Sequence, residues 1–229
     1  MTLYSDPRLL SLGVVHGTAD RTAGNMHDSK NVCALLDTLN IPPQRMLRLH
    51  QTHSDTILNV LSAEEALNFR QTVLPEADGW VLKGSGFGAA ILTADCVPLI
   101  LWDAKAQVVG LAHCGWRGVA AGLPEKTAQR MKECGAQGPL SAWAGPHIQS
   151  CCFEVQQDVA DQFPHAVLHK NGKLFVDLNQ EIKRQLCNCG LEEKNIKTPY
   201  YCTCGDKARF FSFRRDHTKD SLLTFVYRP

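Results

Sequence analysis

Apolar residues fall into short runs in the middle of the chain and into helical spacings on either side. In "DSKNVCALLDTLN", Val32, Leu35, Leu36 and Leu39 share one face of a helix. Asp28 stands where a side chain can accept an orphan backbone N–H at its N-terminus. The prolines of "IPPQ" stop that helix. "MLRLHQTHSDTILNVL" reads as two strand pieces around a polar centre. "GWVL", "GAAILT", "VPLILW" and "AQVVGLAH" are short and rich in apolar residues, and read as strands.

Helical spacing returns after them. Residues 118–134 predict a helix with Leu123, Thr127, Arg130 or Met131, and Cys134 on its inner side. "EVQQDVADQF" spaces Val155, Val159 and Phe163 four residues apart, a second amphipathic helix. "VDLNQEIKRQLCNCG" aligns Leu178, Ile182 and Leu186 on a third, closed by Gly190 as a C-cap. Strands near 196–201 and 222–227 complete the pattern. Strands bunched between helices predict an α+β fold, a mixed β-sheet core flanked by helices, rather than regular βαβ alternation. With no repeat, low-complexity tract or linker, residues 1–229 are expected to form one domain.

Composition narrows the function classes. The 24 basic and 23 acidic side chains give a net charge of +1. That balance carries no electrostatic footprint for nucleic acid or an anionic membrane. No stretch is apolar for long enough to span a bilayer, and the N-terminal residues lack a signal-peptide pattern. The ten cysteines are therefore expected to be mostly free thiols in a reducing cytoplasm.

The densest chemistry is "LAHCGWRG", residues 111–118. If "DAKA", residues 103–106, forms a hairpin loop, facing residues have numbers summing to 209, and Cys96 faces His113. Opposed side chains share a face with Cβ atoms about 5 Å apart. A thiol and an imidazole at that separation can share a metal, or one can activate the other. Catalytic zinc takes three protein ligands and leaves a position open. "LHQTHSD" offers His50 or His53 as the third; three apart on a strand, they point to opposite faces, and spacing does not choose between them.

Other motifs carry less. "CNC" at 187–189 and "CTC" at 202–204 read as incidental thiols rather than a four-thiolate zinc site, because Cys-x-Cys is not the usual zinc knuckle. "KGSGFG" reads as a turn. Arg214 and Arg215 in "FFSFRRD" are a solvated pair or hold an anion.

Taken in order, "QTH", "EADGWV", "LTADCVPLIL", "GLAHCGWRG", "GPHIQSCCFEV", "VDLN" and "FFSFRRD" resemble the motifs of the YfiH family. That family is also described as multicopper polyphenol oxidase or laccase-like, as peptidoglycan editing factor, and as the bacterial relatives of the human protein FAMIN. The resemblance runs from about Gly24 to Arg215. It implies a YfiH-like fold and a zinc site on His53, Cys96 and His113, with copper as the other metal associated with such a site. It further implies phosphate-dependent cleavage of adenosine, inosine, guanosine and methylthioadenosine, with adenosine deamination in the same pocket. Beside that metal, Arg117 is the natural clamp for phosphate. Asp78 and Asp95 are the nearest carboxylates for proton transfer or for orienting a ligand, and His147 is a further option. The chain departs from the family pattern at Val32, where Asn-Arg is usual, at "HTKDSLLTF", which lacks a Gly-Arg, and at Phe153, often a tyrosine.

Three other readings compete. Cys96 and His113 would also serve a cysteine hydrolase or amidase editing peptidoglycan precursors. Copper-dependent polyphenol oxidation is weakened by nine histidines with no His-x-His pair. A metal-stapled binding module would present "PEADGWVLKG". The expected partners are a purine nucleoside and phosphate, with no nucleic acid or membrane, and the expected state is a monomer or weak homodimer.

Overall fold

The computed structural model describes residues 1–69, 73–103 and 107–229. The central apolar runs build two large sheets. One has six strands in the order β13 (Ile196–Lys197), β9 (Ser141–Ala144), β7 (Val97–Asp103), β8 (Val108–Cys114), β5 (Gly79–Lys83) and β4 (Ile57–Val60). The other has five: β1 (Leu3–Tyr4), β2 (Val15–Ala19), β14 (Leu222–Arg228), β6 (Phe87–Thr93) and β3 (Met46–Leu47). A small third sheet joins β10 (Glu154–Val155), β12 (Lys173–Val176) and β11 (Val167–Lys170). The helices are α1 (Pro7–Leu10), α2 (Ser29–Thr38), α3 (Ala63–Asn68), α4 (Trp116–Ala120), α5 (Leu123–Glu133), α6 (Gln157–Ala160), α7 (Leu178–Asn188) and α8 (Phe213–Asp216). Among the described residues no helix is long and apolar enough to cross a membrane.

Strand alternation sorts these elements into four layers. Val109 and Leu111 of β8, with Ile100 and Trp102 of β7, pack against Phe87, Ala89 and Ile91 of β6 between the two sheets. The opposite face of β8, Val108, Ala112 and Cys114, meets Leu123, Ala128 and Met131 of α5 and Ile182 and Leu186 of α7. On the far side of the five-stranded sheet, Ala90, Leu223 and Phe225 bury Val32, Leu35 and Leu36 of α2. The order is helix, sheet, sheet, helix. Both faces of each sheet are covered, which is why its strands read as continuous apolar runs and not as alternating ones.

Several expectations change. The helix expected over 118–134 is two helices broken at Gly122, whose φ of +81° is a left-handed conformation that glycine accepts without a Cβ penalty. Within α5, Met131 is buried and Arg130 is exposed. The helix expected over "EVQQDVADQF" keeps only Gln157–Ala160, because Glu154 and Val155 are held in strand pairing by Phe175 and Leu174. Phe163 is still buried in the core. The strand expected to 201 stops at Lys197, just before Pro199, which lacks a ladder donor.

The hairpin of β7 and β8 forms, with Val97 facing Cys114 and Pro98 facing His113. Facing numbers therefore sum to 211, and Cys96 lies opposite Gly115 rather than His113. Residues 104–106 of the expected loop lie outside the described residues. A shift of two leaves every side chain on the face expected for it, where a shift of one would reverse them all. Cys96 and His113 consequently remain on the inter-sheet side, at the end of the hairpin.

Gly110 is where β8 meets α5: a Cβ there would lie 2.8 Å from Cγ2 of Thr127 and 3.0 Å from Sδ of Met131. Gly110→Ala must displace the buried Thr127 side chain and crowd Met131. It is expected to destabilise the protein by about 1–3 kcal/mol, measured as a lower denaturant midpoint.

Candidate metal centre

Asp78 precedes β5, in which Gly79 faces Ala112, so the register places Asp78 opposite His113. The backbone N–H of His113 donates to the Asp78 carbonyl at 2.7 Å, and its Nδ1–H donates to Oδ1 at 2.8 Å. With Nδ1 engaged by Asp78, Nε2 is the His113 nitrogen available to a metal once its proton is released. The same carboxylate draws in the turn carrying the other histidine. It accepts the consecutive backbone N–H groups of Thr52, His53 and Ser54 at 3.2, 3.1 and 2.6 Å, and the Ser54 hydroxyl at 2.7 Å. His53 adopts a φ of +60° to wrap around it. Burial opposes ionisation of Asp78, but the hydrogen bonds from His113 and Ser54 outweigh it and hold the carboxyl well below the usual range.

The third member enters from the other strand. Asp95, at φ +90°, turns the chain into β7 and delivers Cys96. Its carboxylate accepts hydrogen bonds from the Thr203 hydroxyl at 2.6 Å, the Ser212 hydroxyl at 3.0 Å and the Arg214 backbone N–H at 2.7 Å, and its carbonyl accepts from Ile148 at 2.9 Å. An aspartate in a left-handed conformation is strained, and these four bonds over-determine it. Cys96 Sγ then lies 3.8 Å from His53 Nε2. One ligand atom each from His53, Cys96 and His113 lies within 4.8 Å of the others.

Gly115 makes room for this trio. At φ −66° its backbone is ordinary, yet a Cβ would lie 2.8 Å from the His53 ring and 3.1 Å from Cys96 Sγ. Against the cost of burial, the charge on His113 and hydrogen bonds from both histidines pull the Cys96 thiol down to about 6. Also against burial, the Cys96 charge and the Asp78 hydrogen bond raise His113 to about 9. Two imidazoles and a thiolate, with a carboxylate behind one of them, form a donor set that suits a borderline-soft cation such as zinc.

The trio lines a cleft of about 860 Å³, within the range of small-molecule sites. Leu49, Leu92, Ile148, Phe153 and Phe213 supply apolar wall. Arg117, exposed on α4 with its guanidinium 4.3 Å from the Trp116 ring centre, also lines it. Arg48, which sequence reasoning missed, does too; it is half-buried, and desolvation lowers its pKa. Among the described residues neither guanidinium has a hydrogen bond or an ion pair. Arg48 stands in "MLRLHQTH" two residues before His50, and no local pattern distinguishes it from a surface strand cation.

Other candidates separate. His50 lines the cleft without joining the trio, whereas His147 is fully buried, with Nδ1 2.7 Å from the Gly145 carbonyl, and is not among the lining residues. Asp78 is likewise wholly buried behind the trio. Arg215 binds the carbonyls of Thr203, Cys204 and Phe210 and pairs with Asp216, while Arg214 lines the cleft. Val32 is buried in the α2 core and Lys219 lines the cleft, so the "HTKDSLLTF" stretch still contributes a cation.

The family model described as multi-copper polyphenol oxidoreductase laccase matches residues 10–227. A purine nucleoside phosphorylase of Clostridium acetobutylicum is 32% identical over 209 residues, spanning 86% of this chain and 82% of that protein. An adenosine deaminase from an unknown prokaryotic organism is 30% identical over 191 residues, spanning 78% and 73%. The crystal structure of a Bacillus licheniformis hypothetical protein YfiH superposes with a TM-score of 0.85 at 25% identity, covering 94% of this chain and 93% of that one.

Two substitutions separate the site from the fold. Gly115→Ala, whose backbone is unstrained, is expected to displace His53 and Cys96 and weaken binding of a divalent metal at least roughly tenfold, by competition with a chromogenic chelator, while far-ultraviolet circular dichroism stays unchanged. Asp78→Asn replaces an acceptor-only group with one that also donates, and is expected to weaken the metal roughly 10- to 100-fold. An unchanged metal affinity in Asp78→Asn would show that the carboxylate does not hold the histidines in place.

Proposed function

The chain belongs to the YfiH family, and we propose that it is a zinc-dependent purine nucleoside phosphorylase with adenosine deaminase activity. The observation that carries this reading is the pairing of two features in one cleft. A His2Cys trio stands in its wall, and two guanidinium groups that have no hydrogen bond or ion pair among the described residues face the same space.

His53, Cys96 and His113 would hold the zinc. When bound, zinc supplies a Lewis-acidic centre and an activated water at its open position, the chemistry that deamination of a purine ring requires. Phosphorolysis requires an anion held against the anomeric carbon of the ribose. Arg117 and Arg48 are assigned that task, because a guanidinium presents a fork of donors matched to phosphate oxygens. The apolar wall of Ile148, Phe153 and Phe213 suits a purine face, and it excludes water from the sugar–base bond. Asp78 and Asp95 are assigned as positioning residues: each carboxylate already accepts at least three hydrogen bonds, Asp78 behind the histidines and Asp95 behind Cys96.

The test incubates zinc-loaded protein with adenosine, with and without phosphate, and separates the products chromatographically. Adenine and ribose 1-phosphate are expected only with phosphate, and inosine in either case. Cys96→Ala is expected to lose zinc and both activities. Arg117→Ala is expected to keep its zinc while the KM for phosphate rises roughly tenfold or more. Nucleoside cleavage at the same rate without phosphate would make the enzyme a hydrolase. No turnover of any nucleoside, together with fast iodoacetamide alkylation of Cys96 in zinc-loaded protein, would move the assignment to a cysteine hydrolase acting on peptide-like cell-wall precursors.

A further inference from the structure

A second cluster of soft ligands lies outside the trio, where Cys151 and Cys152 meet Cys202 across about fifty residues of chain. Their sulfur atoms lie within 4.8 Å of one another. Cys151 Sγ is 3.4 Å from Cys152 Sγ and 3.6 Å from Cys202 Sγ. We propose that Cys151, Cys152 and Cys202 form a second metal site, specific for a thiophilic closed-shell cation, either monovalent copper or zinc.

The geometry suits such an ion. With a zinc–sulfur distance of about 2.3 Å, tetrahedral ligand sulfurs stand about 3.8 Å apart, close to the separations found here. Three sulfurs and no imidazole make the group softer than the His2Cys trio, which favours copper(I) and zinc over harder cations. The backbone N–H groups of Gln149 and Gly205 donate to the Cys202 sulfur at 3.5 and 3.3 Å, a partial offset to the burial that raises its pKa. Hydrogen bonds to a thiolate stabilise its charge. Cys151 is exposed, which gives the ion a path in, while Cys152 and Cys202 are half-buried. Burial raises Cys152 and Cys202, whereas hydrogen bonds outweigh burial and lower Cys151, so a binding ion must displace protons from the two half-buried thiols. Each thiol that ligates releases its proton to solvent, so binding is coupled to pH.

The site would also staple the cleft. The 147–153 segment carries Ile148 and Phe153 of the cleft wall, and it meets the 200–205 segment through the bridge of His147 with Cys202. Thr203, next to Cys202, donates to the Asp95 carboxylate. An ion on the three sulfurs ties these two segments together through ligands separate from those of the His2Cys trio. The inference rests on the sulfur geometry alone and does not depend on the nucleoside reading.

The test uses the whole chain, reduced, stripped of metal and kept anaerobic. Copper(I) and zinc are titrated separately against a competing chelator, with thiolate-to-metal charge-transfer absorption as the readout. Wild type is expected to take up two equivalents of at least one of these ions, Cys96→Ala one, and the Cys151→Ser/Cys202→Ser pair one. Cys151→Ser alone, at an exposed position, guards against misfolding and is expected to lose the second equivalent while its circular dichroism matches wild type. Two equivalents retained in the paired variant, or a single wild-type equivalent that Cys96→Ala abolishes, would overturn the proposal. So would loss of two hydrogens by mass on mild oxidation with no uptake of either ion, which would make Cys151 and Cys202 a redox pair.

Discussion

The buried carboxylate of Asp78 is the interaction on which the site depends. A carboxylate removed from water is costly unless its oxygens are fully hydrogen-bonded. Asp78 is satisfied by drawing two separate pieces of chain around itself: the turn of Thr52, His53 and Ser54, and the end of β8 that carries His113. One negative charge thus sets the position of both histidines and the tautomer of one of them. Both ligands are fixed before any ion arrives, so binding one does not have to order them.

The site lies where it does because of how the sheets are built. The hairpin of β7 and β8 is buried on both faces, by the second sheet and by α5 and α7. Its end is where inter-sheet packing gives way to a cleft. There Asp95 bends the chain through a left-handed conformation and Gly115 withholds a side chain, and the space released holds the Cys96 sulfur and the His53 ring. Strain at Asp95 and absence of bulk at Gly115 are two halves of one local design. They are paired across the strands by a register in which 96 stands opposite 115.

Electrostatics then divides the cleft into regions. A thiolate and two imidazoles converge on one side, two guanidinium groups without a hydrogen bond or ion pair among the described residues face the same space, and apolar side chains form much of the rest. Charge and apolar surface thus meet in one cleft of small-molecule size.

The sequence by itself determined the secondary elements whose periodicity is continuous: α2, α5 and α7 on their apolar faces, and the strands β5 to β8 as apolar runs. It also placed Cys96 and His113 on one face of a hairpin, since alternation along a strand is a local property that survives a register shift of two. Tertiary structure decided the rest. The register itself turned on where the hairpin loop is centred. Gly122 divided a helix that periodicity ran together, and pairing of Glu154 and Val155 with β12 overrode a helical spacing. Arg48 and the meeting of Cys151 and Cys152 with Cys202 left no local trace, because their significance lies in which distant segments the four layers bring together. A period reports what a residue's own element demands. A cleft, an unpaired cation or a cluster of sulfurs is a relation between elements, and only packing creates it.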